Sequence, residues 1–210
     1  MKDSTSLIYV PILHAQEDAG HTTSILAKND RNEIVRRKID TAPSAVDEMW
    51  EGIAAKVEGL NLPWDQVRIY PDGVPVCGNE LELVTRLADR GCRSSRYILK
   101  LIESGAIVEG TEDMELLIQE YDLLNRLLMR RSGVGQQQAN AEYQASSRGL
   151  LAVRDQFIFN RIAATLQPGE LPLVFMGVMH RLDKLLEKEF SVSYVIYRLP
   201  FRSIGAIYNA

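Results

Sequence analysis

The chain has 210 residues, 46% hydrophobic and 25% charged, proportions of an ordinary globular protein that exclude a disordered tail, a collagen-like repeat or a bare coiled coil. Its 24 basic residues are outweighed by 28 acidic ones, a formal net charge of −4, which excludes a surface built chiefly to coat nucleic acid. A single α/β domain over 1–210 buries enough surface to need no disulfide or structural metal, and Cys77 and Cys92, with no C-x-x-C spacing, read as thiols of a reducing compartment.

The first apolar run, Leu7 to Leu13, stops at His14-Ala15-Gln16-Glu17-Asp18 and lacks the charged lead and length of a secretory signal. It reads as a buried strand, and a cytoplasmic location is expected. The later run Leu171 to Met179 contains Pro172 and Gly177 and is about half of a membrane crossing. No membrane contact is expected.

Leu7–Val10 is apolar on both faces, as a strand covered from both sides should be. A charged strand is expected near 31–39. Ser44 and Asp47 form a capping box, and Val46, Met49, Trp50, Ile53 and Val57 follow at helical spacing as far as Gly59. Val67–Tyr70 reads as a strand ended by the turn Pro71-Asp72-Gly73. Asn79 caps a helix closed by Gly91, and Ser95 opens another closed by Gly105. After a short strand at 106–108, Gly110-Thr111 leads into a long helix with the stripe Met114, Leu117, Tyr121, Leu124 and Leu128. Residues 131–140 read as a loop, either a lid or an oligomer contact. A second long helix spans about 141–167, so that 112–167 forms a helical hairpin inserted in the domain or packed on it. A strand at 173–176, a helix at 180–190 and a strand at 192–197 complete the chain. Alternating strands and helices predict an α/β fold with a mostly parallel central sheet.

In such sheets ligands bind beyond the carboxyl ends of the strands. The first strand end carries His14, Glu17, Asp18 and His21, the middle one Glu112, and the late one His180, so all three histidines of the chain fall at strand ends. Neutral imidazole with carboxylate suits a divalent ion such as manganese, zinc or cobalt; the same groups without metal serve as acid and base. Taken singly, Glu112 and Asp113 also fit the start of a helix, where carboxylates favour the dipole. On the second long helix, Asp155 shares a stripe with Leu151, Ile158 and Ile162, and Arg154 borders it. Charges on an apolar face need partners, either in structural ion pairs or at a site. In a site Arg154 would clamp a carboxylate or oxyanion, and Asp155 would orient a histidine. There is no dinucleotide fingerprint, P-loop or nucleophile elbow, so no organic cofactor is indicated.

Gly177-Val178-Met179-His180, with an apolar strand before it and Arg154-Asp155 on a helix, resembles the TraB/PrgY/TIKI superfamily. Its members share two G-x-x-H motifs, an intervening glutamate and an arginine ahead of the second motif. Pro11-Ile12-Leu13-His14 stands for the first motif, with proline in place of glycine; Glu112 stands for the glutamate and Arg154 for the arginine. Tyr70-x-Asp72-Gly73-x-Pro75 is similar to a family of prokaryotic proteins of unassigned function. The superfamily resemblance implies an α/β or α+β domain and, for the TIKI branch, metal-dependent peptide hydrolysis. Cleavage of a secreted partner is not carried over, because no signal or membrane segment is expected here.

The leading expectation is a metal-dependent hydrolase of a small or peptide-like substrate, with His14 and His180 as metal ligands and Glu112, Arg154 and Asp155 as catalytic groups; Glu17, Asp18 and His21 are secondary candidates. The alternatives are a non-catalytic module for an anionic small molecule and a homo-oligomer assembled through the helix hairpin.

Overall fold

The computed structural model describes residues 5–13, 45–129 and 135–198, with the backbone alone for 45, 124–129 and 135–145. His14, Glu17, Asp18, His21, Ser44 and the strand expected at 31–39 lie outside the described residues. The elements are β1 (Ser6–Ile12), α1 (Ala45–Glu58), β2 (Val67–Pro71), α2 (Glu80–Asp89), α3 (Arg93–Glu103), β3 (Ile107–Val108), α4 (Met114–Met129), α5 (Gly135–Thr165), β4 (Leu171–Gly177), α6 (Leu182–Leu186) and β5 (Ser191–Tyr194). Five strands form one sheet in the order β3-β2-β4-β1-β5, parallel throughout. The fold class is therefore α/β, with every strand parallel.

The order explains the layers. From β1 to β2 to β3 the chain steps one way across the sheet, and from β3 to β4 to β5 it steps back. With right-handed crossovers, the two directions put helices on opposite faces. One face packs Ile8, Val10, Ile12, Val67, Ile69, Leu173 and Phe175 against α1, α2 and α3. The other packs Leu7, Tyr9, Tyr70, Val174 and Met176 against Ile158 and Ile162 of α5 and Leu182 and Leu186 of α6. Both sheet faces are covered, which is why β1 and β4 are apolar at successive positions.

Several boundaries differ from the sequence pattern. Helix α5 begins at Gly135, so 135–140 is helical and not part of a loop; Gln136, Gln137, Gln138 and Ala139 are good helix formers. Near the end, helix occupies only Leu182–Leu186, because His180 and the Arg181 backbone are bonded to Asp155 ahead of it. Strand β5 closes at Tyr194, although the Val195 N–H still donates to Tyr9 O at 2.9 Å. The Asn79 side chain makes no capping bond. The Glu80 carboxylate instead accepts the Cys77 and Gly78 N–H groups at 2.8 and 2.9 Å.

One glycine is demanded by close approach. The segment after β3 folds under the β2 loop, where Thr111 and Glu112 N–H donate to Val74 O at 2.8 and 3.1 Å and Val76 N–H donates to Glu112 O at 2.9 Å. A Cβ on Gly110 would lie 2.7 Å from both Pro75 O and Val76 Cα, backbone atoms that cannot swing away. Gly110→Ala is expected to lower unfolding stability by about 1–3 kcal/mol, read from the urea midpoint. A wild-type midpoint would show that the two loops separate without cost.

Candidate metal centre

Three strands end at one place. Asp72 follows β2 directly, Glu112 lies four residues beyond β3, and His180 three beyond β4. Strands β2 and β4 are neighbours whose outgoing chains leave for opposite faces, which opens a crevice between their ends. Asp72 shares the face of Tyr70 by the two-residue period of a strand. Its N–H donates to Phe175 O at 2.8 Å, Gly73 behind it takes φ 74° to turn the chain, and its Oδ2 accepts the Gly177 N–H at 2.9 Å. Glu112 and Asp113 divide the two roles open to them. The Asp113 Oδ1 accepts the Glu115 and Leu116 N–H groups at 2.9 and 3.1 Å and starts α4, while Glu112, 0% exposed, turns inward.

Helix α5 supplies the counter-groups. Successive helical residues point about 100° apart, so Arg154 and Asp155 reach different strand ends. Arg154, 3% exposed, donates Nε to Glu112 Oε2 at 3.0 Å and Nη2 to Glu112 Oε1 at 2.6 Å. It also donates Nη2 to Asp72 Oδ1 at 3.1 Å and Nη1 to Glu120 Oε2 at 2.7 Å. Asp155 accepts His180 Nδ1–H at 2.6 Å and the Arg181 N–H at 2.9 Å. The structure thus brings Glu112, Arg154, Asp155 and His180 together and adds Asp72 and Glu120, which sequence reasoning missed. Asp72 was hidden because Pro-Asp-Gly is an ordinary turn, yet the strand-end rule and its alternation with Tyr70 both reach it. Glu120 borders the α4 stripe, three residues after buried Leu117. Arg161 donates to Gly110 O at 3.2 Å and Glu109 Oε2 at 3.0 Å, holding the loop that carries Glu112.

Among the described residues, four carboxylates (Asp72, Glu112, Glu120, Asp155) gather around the Arg154 guanidinium and His180. With Nδ1–H given to Asp155, His180 Nε2 faces Asp72 Oδ2 at 3.7 Å. A lone pair against a carboxylate is unfavourable; the pair needs a cation between them or a proton on Nε2. Burial pulls the His180 pKa down, but the Asp72 charge and the Asp155 hydrogen bond outweigh it, and the net shift is upward. Burial also raises the pKa of Glu112, with Asp72 adding to the shift, against the lowering effect of Arg154.

Asp72, Glu112 and His180 each offer a ligand atom, all within 4.8 Å of one another, so this buried group could hold a metal ion. Around one ion with bonds of about 2.0–2.2 Å, ligand atoms stand about 3–4.4 Å apart. The Nε2–Oδ2 separation already suits that, and the widest spacing in the group would need to close by only tenths of an ångström. Two carboxylates and an imidazole are donors for manganese, zinc or cobalt.

Removing Arg154 strands a fully buried carboxylate. Arg154→Ala is expected to destabilise the fold by about 3–5 kcal/mol, measured by urea unfolding; a loss under about 1 kcal/mol would mean that the network is not held by charge. His180 adds a pH slope. A histidine whose folded pKa is raised above its ordinary 6.5 contributes stability that is complete below that value and lost as pH rises through the folded value. In chelator-treated protein the unfolding midpoint should therefore fall as pH rises above the ordinary histidine value of about 6.5, and His180→Asn should flatten that slope. An unchanged slope in the variant would assign the titration elsewhere.

Compared with family models, curated proteins and solved structures, the chain has no match in any of the three.

Proposed function

We propose that the protein is a divalent-cation-dependent hydrolase acting on a small or peptide-like substrate, in the manner the TraB/TIKI resemblance implies. The observation that carries this reading is His180 Nε2 facing Asp72 Oδ2 at 3.7 Å, too long for a hydrogen bond and suited to two ligands of one ion. Asp72, Glu112 and His180 would hold the ion, and three protein ligands leave positions open, as in catalytic sites. Such an ion supplies a water that ionises near neutral pH and a centre that polarises a carbonyl. Asp155 keeps the proton on Nδ1 and aims Nε2 inward. Arg154 fixes both Glu112 oxygens and steadies Asp72. Because four of its five N–H groups already donate to carboxylates, Arg154 serves better as a brace than as an anion clamp.

The test is metal content after dialysis against manganese, zinc or cobalt, followed by ion-dependent cleavage of a panel of esters and peptides. One retained ion per chain is expected, with Asp72→Asn and His180→Asn losing it and Asp155→Asn binding about 10–100-fold more weakly. Retention of no ion by the wild type between about pH 6 and 9 overturns the metal reading. A bound ion with no ion-dependent cleavage overturns the hydrolase.

A further inference from the structure

Three tyrosines stand in one row across the sheet. Register pairs Tyr70 of β2 and Tyr9 of β1 with Val174 of β4, and Tyr9 with Tyr194 of β5. Tyr9 and Tyr70 belong to the layer beneath α5 and α6, and the rings of Tyr9 and Tyr194 meet edge to face with centroids 5.6 Å apart. Asp72, two residues beyond Tyr70 on the same face, places the candidate centre directly ahead of this row.

The outer two hydroxyls are engaged. Tyr70 Oη and Thr165 Oγ1 of α5 are hydrogen-bonded at 2.9 Å. Tyr194 shares its hydroxyl proton between Asp183 Oδ2 at 3.2 Å and Glu187 Oε1 at 2.8 Å. The Tyr9 hydroxyl between them makes no hydrogen bond among the described residues, although Tyr9 is only 4% exposed. A ring placed there for packing alone would serve better as phenylalanine, because a desolvated hydroxyl without a partner costs stability. Nor is the oxygen sealed in. Among the described residues the one fully buried side-chain polar atom that lacks a partner is Trp50 Nε1. The Tyr9 oxygen therefore touches accessible space at the end of an otherwise buried side chain.

That space adjoins the candidate centre. Burial and then the charges of Asp183, Asp155 and Asp72 push the Tyr9 pKa up, so the hydroxyl keeps its proton at neutral pH. Asp155 and Asp72 are the carboxylates on either side of the His180 ring. The nearer carboxylates have their own donors: Asp155 accepts His180 Nδ1–H and the Arg181 N–H, and Asp183 accepts the Tyr194 hydroxyl. The phenol proton is left for a ligand. Surroundings that disfavour a phenolate on this oxygen disfavour an anionic ligand beside it, whereas a neutral carbonyl oxygen suits both the donor and its environment.

We propose that the Tyr9 hydroxyl is a substrate-binding group of the site, donating to an uncharged carbonyl oxygen of an ester or peptide-like substrate held at the Asp72, Glu112 and His180 centre. The assignment rests on the hydrolase reading above and narrows its substrate to one that turns a neutral carbonyl, not a carboxylate, toward β1.

The test compares the full chain with its Tyr9→Phe and Tyr70→Phe variants, each dialysed against manganese, zinc or cobalt, by urea midpoint, retained ion and kcat/KM on neutral esters and peptides. Tyr9→Phe removes one oxygen that has no partner, so its midpoint should equal or exceed that of the wild type and its ion content should not change. Its kcat/KM should fall about tenfold or more, the worth of a lost hydrogen bond to substrate. Tyr70→Phe should show the reverse, a lower midpoint with kcat/KM retained. Wild-type cleavage kept in full by Tyr9→Phe overturns this assignment alone, as does a lowered midpoint in Tyr9→Phe or an equal loss of activity in both variants. No ion-dependent cleavage by the wild type overturns the hydrolase reading and this assignment with it.

Discussion

A guanidinium with 3% of its side chain exposed has to be surrounded by carboxylates, and Arg154 meets that requirement with groups from three separate segments. Asp72 comes from the end of β2, Glu112 from the segment after β3, and Glu120 from α4. The next residue, Asp155, ties in the end of β4 through His180. Two adjacent side chains on one helix therefore fasten three strand ends to the layer that covers them. Removing either would free more than one contact, since Arg154 holds Glu112, Asp72 and Glu120 and Asp155 holds both His180 and the Arg181 N–H.

The parallel sheet makes this convergence possible. All carboxyl ends lie on one side, and the reversal of chain direction leaves a crevice there for α5 to cross. A second set of charges, away from the crevice, fixes the loop that brings Glu112 in. Arg68 pairs with Glu170 and Glu109, and Arg161 links Glu109 to the Gly110 carbonyl. On its other side the same loop bonds backbone to backbone with Val74 and Val76. Glu112 is thus held rigidly before any ligand is considered, the condition under which a small site keeps its geometry.

Much of this arrangement was legible in the chain. Strands apolar on both faces announced a covered sheet, and the positions of Arg154 and Asp155 on and beside the α5 stripe announced two buried charges in need of partners. What was not legible follows from degeneracy. Asp72 in Pro-Asp-Gly carries a complete local explanation as a turn, so nothing local separates it from an aspartate that only turns the chain. Glu112 and Asp113 are interchangeable as helix-starting acids until the backbone decides which one faces inward. The start of α5 was obscured because Gly133 and Gly135 mark a break, whereas the glutamines after them favour helix. The histidine expected to mirror His180, His14, lies outside the described residues; β1 itself runs to Ile12 beside Gly177, where Val178 N–H donates to Ile12 O at 3.0 Å.

In the proposed site, proton and metal ion would compete for the same ligand atoms. With Nδ1–H committed to Asp155, the only place on His180 for a second cation is Nε2, opposite Asp72. At lower pH a proton there satisfies the carboxylate, and burial favours a further proton on Glu112. As pH rises those protons leave, and the empty cluster becomes both less stable and a better ligand set, because a metal takes the deprotonated forms. In the proposed metal site, instability of the empty cluster and affinity for an ion would thus rise together, from one cause.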